Sequence, residues 1–236
     1  MPQIAIDQLR ALPCTSMDIR GCAGVKVWLA GPFPEVPENL WNVLSGTEKD
    51  RADRFIHPAD RVLFIATRGI LRCLLSDATG IAAEQIQFAE GLAGKPYLSG
   101  HRGPHFNVSH SGSFALIGLS ESENRPVGVD IERMHFTGDE LNVAQSHFSA
   151  AEYRALLGLE QEPMLCSFYK IWTCKEAVLK ACGAGISEHL KSVTVALNKD
   201  GFALRPQHHC FLPGLATVCA RPVAVPQGYA GCCALA

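Results

Sequence analysis

The chain predicts an α+β fold, and three observations carry that expectation. Two long stretches show a helical repeat of apolar residues, one opened by His57-Pro58 and one spanning residues 164–181. Short segments of alternating or β-branched residues, separated by turn residues, read as antiparallel strands. These strands fall in both halves of the chain, so each half holds one long helix and a few strands.

In order, residues 25–30 read as a strand and residues 48–55 as a short helix. His57-Pro58 opens a longer helix, with proline at a first-turn position, running to about residue 76. Leu63, Thr67, Ile70 and Leu74 give it an inward stripe. Residues 86–90 resemble a strand, followed by a glycine-rich turn bearing Lys95. Residues 105–108 and 114–119 make a strand pair across a Ser-His-Ser-Gly loop. After a polar break at residues 120–125, a strand forms around Asp130. Ser149-Ala-Ala-Glu152 is a capping box that starts a helix. The second long helix ends near Gly183 and Gly185, and residues 193–197, 202–204, 216–220 and 229–235 supply further strands. No convincing internal repeat is visible.

Composition excludes several classes. A chain of 236 residues can hold one large domain or two small ones, and the polar break divides it at 1–122 and 123–236. With 47% apolar and 19% charged residues it reads as globular rather than disordered. A net charge of −2 lacks the basic excess of a general nucleic-acid binder. No run of about twenty apolar residues and no basic-then-apolar N-terminus occurs, so neither a membrane span nor a secretion signal is expected. The ten cysteines contain no Cys-x-x-Cys pair. His208-His209-Cys210 would suit a soft metal, but no second cluster at zinc-finger spacing accompanies it, and free thiols in a reducing cytoplasm account for the set.

Two acidic stretches carry the chemistry. Val127, Val129 and Ile131 alternate with Gly128, Asp130 and Glu132, so the two carboxylates leave one strand face about 6–7 Å apart. Such a pair either lies on a solvated outer face or, if turned inward, needs a cation. In the second long helix Leu165, Phe168, Trp172 and Leu179 fall near one stripe. Glu176, four residues after Trp172 and three before Leu179, shares it. Lys180 follows Glu176 at i+4, which by itself suits a surface ion pair. Three converging carboxylates would suit Mg²⁺, which takes oxygen ligands and keeps positions for water and phosphate.

Gly128-Val-Asp-Ile-Glu132 together with Trp172-Thr-Cys-Lys-Glu-Ala-Val-Leu-Lys180-Ala-Cys-Gly183-Ala-Gly185-Ile186 resembles the signature of 4′-phosphopantetheinyl transferases of the surfactin-synthetase-activating type. Gly94-Lys95-Pro96-Tyr97, Phe106-Asn-Val-Ser109-His110-Ser-Gly112 and Arg51-Ala-Asp-Arg54-Phe55, with Arg61 downstream, fit the same family in order. Glu48 stands where another basic residue of that family would be expected. The resemblance implies two similar subdomains, each a small antiparallel sheet with a long helix, and an active site at their interface. It implies a cytoplasmic monomer that moves the phosphopantetheine arm of coenzyme A onto a serine of an apo acyl or peptidyl carrier protein. Asp130, Glu132 and Glu176 would hold Mg²⁺, Glu176 would take the serine proton, and Lys180 would stabilise the pyrophosphate. Arg51, Lys95, Ser109 and His110 would contact coenzyme A, chiefly its phosphates. Two other readings of the same residues remain at this point, a Mg²⁺-dependent hydrolase of nucleotide pyrophosphates and a non-catalytic module that binds carrier proteins.

Overall fold

The structure is a computed structural model that describes residues 11–91, 94–100, 103–122, 125–185, 189–198, 201–206 and 215–236. His208, His209 and Cys210 lie outside the described residues, as does Ile186. The nine described cysteines are free thiols, and no described helix is long and apolar enough to cross a membrane.

The first half builds a four-stranded sheet in the order β1-β2-β6-β5, from β1 (Cys14–Asp18), β2 (Val25–Ala30), β5 (His105–Ser111) and β6 (Phe114–Ser120), all antiparallel. Short helices α1 (Glu38–Asn42) and α2 (Gly46–Ala52) lead into the 22-residue α3 (Pro58–Thr79). A small hairpin, β3 (Phe88–Glu90) with β4 (Pro96–Leu98), holds the Lys95 turn. The expected inward stripe of α3 is buried: Leu63, Thr67, Ile70 and Leu74 all lie in the interior. There Ile65, Ile70, Leu71 and Leu75 meet Phe106, Ile117 and Leu119 of the sheet. Each such fully buried side chain contributes about 2 kcal/mol relative to exposure.

The second half pairs β7 (Val127–Arg133) with β11 (Tyr229–Leu235) and β11 with β10 (Cys219–Pro222), a three-stranded antiparallel sheet with β7 at its edge. Helices α4 (Glu140–His147) and α5 (Ala150–Leu157) precede the 22-residue α6 (Gln161–Cys182), and β8 (Val193–Asn198) pairs with β9 (Gly201–Pro206). The capping box at the start of α5 forms as its sequence expects: Ser149 Oγ accepts from Glu152 N, and Glu152 accepts from Ser149 N at 2.6 Å. A third cluster joins the halves, with Val25, Val27 and Leu116 packed against Val127, Val129, Ile131 and Cys233.

Three local expectations need correction. Ser109, His110 and Ser111 belong to β5 rather than to a loop, because the hairpin closes on Gly112-Ser113 alone, with Ser111 paired to Phe114. Residues 216–220 are not one strand. A 3₁₀ turn occupies Leu215–Thr217, and the strand begins at Cys219, where β11 offers Leu235 as partner. The face of α6 is broader than its apolar stripe, since Trp172 is only partly buried while Thr173 and Lys175 are fully buried. Lys175 can be interior because Glu152 pairs with it at 2.9 Å and Leu190 O accepts from it at 2.7 Å.

Candidate active site

The pleat of β7 sends Val127, Val129 and Ile131 into the core between the halves and Gly128, Asp130 and Glu132 toward α6. Gly128 lets the helix come close: a Cβ there would stand 2.1 Å from Ala177 O and 2.5 Å from Ala181 N. This approach carries Glu176 and Lys180 over Asp130. Lys180 Nζ donates to Asp130 Oδ1 at 2.6 Å and lies 3.2 Å from Glu176 Oε2. Asp130 is only 1% exposed, against 13% for the Glu176 side chain and 17% for that of Lys180.

The first half supplies hydroxyls from β5. Ser109 Oγ donates to Asp130 Oδ1 at 2.7 Å, and Ser111 Oγ donates to Glu132 Oε2 at 2.8 Å. Asp130, Glu132, Glu176, Lys180 and Ser109 thus lie close together, and Ser109, expected from sequence as a coenzyme A contact, donates to Asp130. Glu132 and Glu176 reach it from a strand and a helix, so it spans no contiguous segment.

Electrostatically the cluster holds more acid than its one lysine balances. Burial and then Asp130 raise the Glu176 carboxyl to about 7, with Lys180 pulling the other way. Burial and then Asp130 also raise Glu132, which the Ser111 hydroxyl and Lys180 partly offset. For Lys180, burial works against the ammonium, yet Asp130 and Glu176 together raise it above the ordinary lysine value. Asp130 Oδ2 is buried with no hydrogen-bond partner. As the side chains stand, no three metal-ligating groups among the described residues converge on one point. The ammonium of Lys180 bridges Asp130 and Glu176 instead.

Arg51 and His110 gather elsewhere. Val108 and His110 leave the face of β5 opposite to Ser109, and line a pocket of about 160 Å³ with Arg51, Phe64, Thr67, Arg68 and Pro96. The guanidinium of Arg51 lies 5.0 Å from the Phe64 ring centroid, and that of Arg68 lies 4.8 Å from that of Phe88. Thr67 Oγ1 is buried in the same place without a partner. Lys95 stands apart from both groups, its Nζ donating to Val127 O at 2.9 Å and Lys180 O at 2.7 Å.

Sequence reasoning missed Arg68, Thr67, Asn107 and Ser111. For the last two a signal was present, since 107, 109 and 111 share one face of any strand. For Arg68 the signal was its place four residues after Phe64 on α3, which puts both on one side of the helix.

Two family models match the chain. One, described as the 4′-phosphopantetheinyl transferase superfamily, covers residues 126–219. The other, described as the N-terminal region of 4′-phosphopantetheinyl transferase, covers residues 31–123. A putative 4′-phosphopantetheinyl transferase of Synechocystis sp., slr0495, is 38% identical over 71% of this chain and 68% of its own length. HetI of Nostoc sp., a 4′-phosphopantetheinyl transferase, is 38% identical over 68% of each chain. The 4′-phosphopantetheinyl transferase ffp of Bacillus subtilis is 32% identical over 80% of this chain and 87% of its own.

Proposed function

Because this chain belongs to the 4′-phosphopantetheinyl transferase superfamily, we propose that its acidic cluster transfers the 4′-phosphopantetheine group of coenzyme A to a serine of an apo carrier protein. The serine oxygen forms a bond to the phosphorus that bears the pantetheine arm. The bond from that phosphorus to the bridging oxygen breaks, and adenosine 3′,5′-bisphosphate leaves with the electron pair. The division into subdomains at 1–122 and 123–236 belongs to the same proposal, with the cluster between them.

The observation that carries this reading is the convergence of Asp130, Glu176 and Lys180 from the second half with Ser109 from the first. Coenzyme A carries phosphate at two places, and the chain offers two matching groups. Arg51, Arg68 and His110 would face the 3′-phosphate, while Lys180 and Ser109 would face the pyrophosphate. Lys95 borders the second group through the Lys180 carbonyl. Lys180 would also offset charge that builds on the leaving oxygen. A serine hydroxyl is a weak nucleophile at neutral pH, so a base is needed. Glu176, raised to about 7 by burial and Asp130, would take the proton at its Oε atoms with both of its forms populated near neutrality.

The donor set also fits Mg²⁺. It offers three carboxylates, two of them with pKa values raised by burial and mutual repulsion, and the buried, unpartnered Oδ2 of Asp130. Asp130, Glu132 and Glu176 would hold the ion, which when bound supplies charge neutralisation for the pyrophosphate oxygens. Positioning and charge balance then account for most of the rate, as phosphoryl transfer requires.

Intact-mass measurement on several apo acyl and peptidyl carrier proteins, incubated with this protein, coenzyme A and Mg²⁺, tests the proposal. Gain of one phosphopantetheine group, with adenosine 3′,5′-bisphosphate released only when an apo carrier is present, is the expected result. Release without any carrier would instead mark a pyrophosphate hydrolase, and neither release nor mass gain would mark a non-catalytic module.

A further inference from the structure

Among the described residues β7 is an edge strand of its own sheet, so the backbone groups on the side away from β11 have no strand to pair with there. Residues 127, 129, 131 and 133 direct theirs toward the first half, and three side chains from that half bond three of those groups. Asn107 Oδ1 accepts from Val129 N at 2.8 Å, and Ser111 Oγ accepts from Arg133 N at 3.0 Å. Lys95 Nζ donates to Val127 O. Ser111 Oγ also donates to the side chain of Glu132, on β7 itself. Lys95 goes on to a second element of the other half, donating to the carbonyl of Lys180 in the last turn of α6.

That carbonyl is one of the four a helix C-terminus leaves without intrahelical partners. Among the described residues, Lys180 O also receives the Gly183 N–H, at 3.3 Å, so the 2.7 Å bond from Lys95 is the shorter of the two. One ammonium therefore ties the start of the strand bearing Asp130 and Glu132 to the end of the helix bearing Glu176 and Lys180. We infer that Lys95 is a positioning residue, a clasp from the first half that sets α6 against β7 and thereby sets Lys180 and Glu176 over Asp130. The inference rests on the transferase reading of the cluster, and it assigns Lys95 a backbone role in place of the phosphate contact expected from sequence.

The surroundings of the amine agree. It lines a cavity of about 460 Å³ at the junction of the halves, with Tyr97, His105, Phe106, Pro126 and Cys182. Burial lowers the ammonium to about 8, and only the thiolate form of Cys182, itself disfavoured by burial, acts the other way. Two of its three protons are committed to carbonyls, and the cavity leaves room beside it.

Lys95→Met and Lys95→Ala separate a clasp from a phosphate ligand. For a clasp, the Lys95→Met enzyme binds coenzyme A within about twofold of the parent by calorimetry, while kcat falls about 10²-fold, because misplacement of the catalytic groups acts on the reacting geometry. Lys95→Ala opens the amine's place to the cavity. Propylammonium added to that variant restores turnover in a saturable way, and tetramethylammonium at equal ionic strength, which has no N–H to donate, does not. The inference is overturned if Lys95→Met weakens coenzyme A binding about tenfold or more with kcat unchanged, or if it keeps the parent kcat. The parent enzyme run beside them reports on the transferase reading itself: no transfer by the parent sinks that reading, whereas transfer with an indifferent Lys95→Met sinks only the clasp.

Discussion

The two halves repeat one construction and differ at the acidic cluster. In each, a capping box opens a short helix, and its glutamate forms an ion pair with the fifteenth residue of a 22-residue helix: Glu48 with Arg72 at 2.7 Å, Glu152 with Lys175 at 2.9 Å. Each basic residue then donates to main-chain carbonyls after its helix, Arg72 to Ala83 O and Ile86 O, Lys175 to Leu190 O and Val193 O. Each long helix ends at a left-handed glycine, Gly80 with φ 73° and Gly183 with φ 68°, where a Cβ would be strained. Strand β2 (Val-Lys-Val-Trp-Leu-Ala) and β7 (Val-Gly-Val-Asp-Ile-Glu) share an alternation of valines, but α3 packs on β6 where α6 packs on β7. By position within their elements, Trp28 and Ala30 correspond to Asp130 and Glu132, and Cys73 and Asp77 to Glu176 and Lys180. The buried ion pair therefore belongs to the scaffold, and the carboxylate cluster belongs to one copy of it.

The largest effect should come from the position where the copies differ most. Glu176→Gln should lower the single-turnover rate of transfer by about 10²–10⁴-fold, the range for loss of a general base. Cys73→Ala, at the equivalent place in α3, should leave that rate unchanged. A Glu176→Gln enzyme that modified carriers as fast as the parent would remove Glu176 from the chemistry.

Next in size is the shared ion pair, which should respond more strongly in the second half. Lys175→Met leaves Glu152 with a buried charge and should cost about 3–5 kcal/mol in urea denaturation. Glu48→Gln should cost less, because Arg72 keeps both of its carbonyl partners and the Glu48 side chain is partly exposed. Equal losses would mean that the two pairs are equally desolvated and that the comparison fails at this point.

Gly128 sharpens the contrast further. Its counterpart Lys26 is exposed, while a Cβ at 128 would meet the backbone of Ala177 and Ala181. Gly128→Ala should cost about 1–3 kcal/mol by overpacking and displace α6 from Asp130. Lys26→Ala should be silent in the same melt.

Much of this plan was legible in the sequence, and the reasons for the remainder are specific. Periodicity placed α3, α6 and β7 because their apolar residues face cores that run the full length of each element. The strand at Cys219 was not legible, since its start is fixed by Leu235 sixteen residues away in sequence and not by its own composition. The acidic cluster was legible through the pleat of β7 and the i+4 spacing on α6. The repeat between halves was hidden because the equivalent residues differ in type, arginine for lysine and tryptophan for aspartate. Asn107 was missed, and the main-chain partners of Lys95 were not expected, because both complete the backbone of an edge strand, which no local pattern announces.

The smallest effect is a pH dependence confined to the acidic copy. Glu176 titrates at about 7 in the fold because burial and Asp130 oppose its charge, against the ordinary 4.5. Between those values the folded chain holds a proton that the unfolded chain has lost, so this group's contribution to stability falls as pH rises through the window and is fully lost above about 7. Melting temperature followed from pH 5 to pH 8 should therefore decline more in the parent than in Glu176→Gln. Mg²⁺ should act in the opposite direction, because an ion held by Asp130, Glu132 and Glu176 favours the deprotonated carboxyl and lowers its pKa. Adding it should flatten the decline in the parent and leave Glu176→Gln less affected. A parent curve that runs parallel to that of Glu176→Gln with and without Mg²⁺ would mean that Lys180 alone satisfies the cluster, and that its acids differ from the apolar pair of β2 in type but not in function.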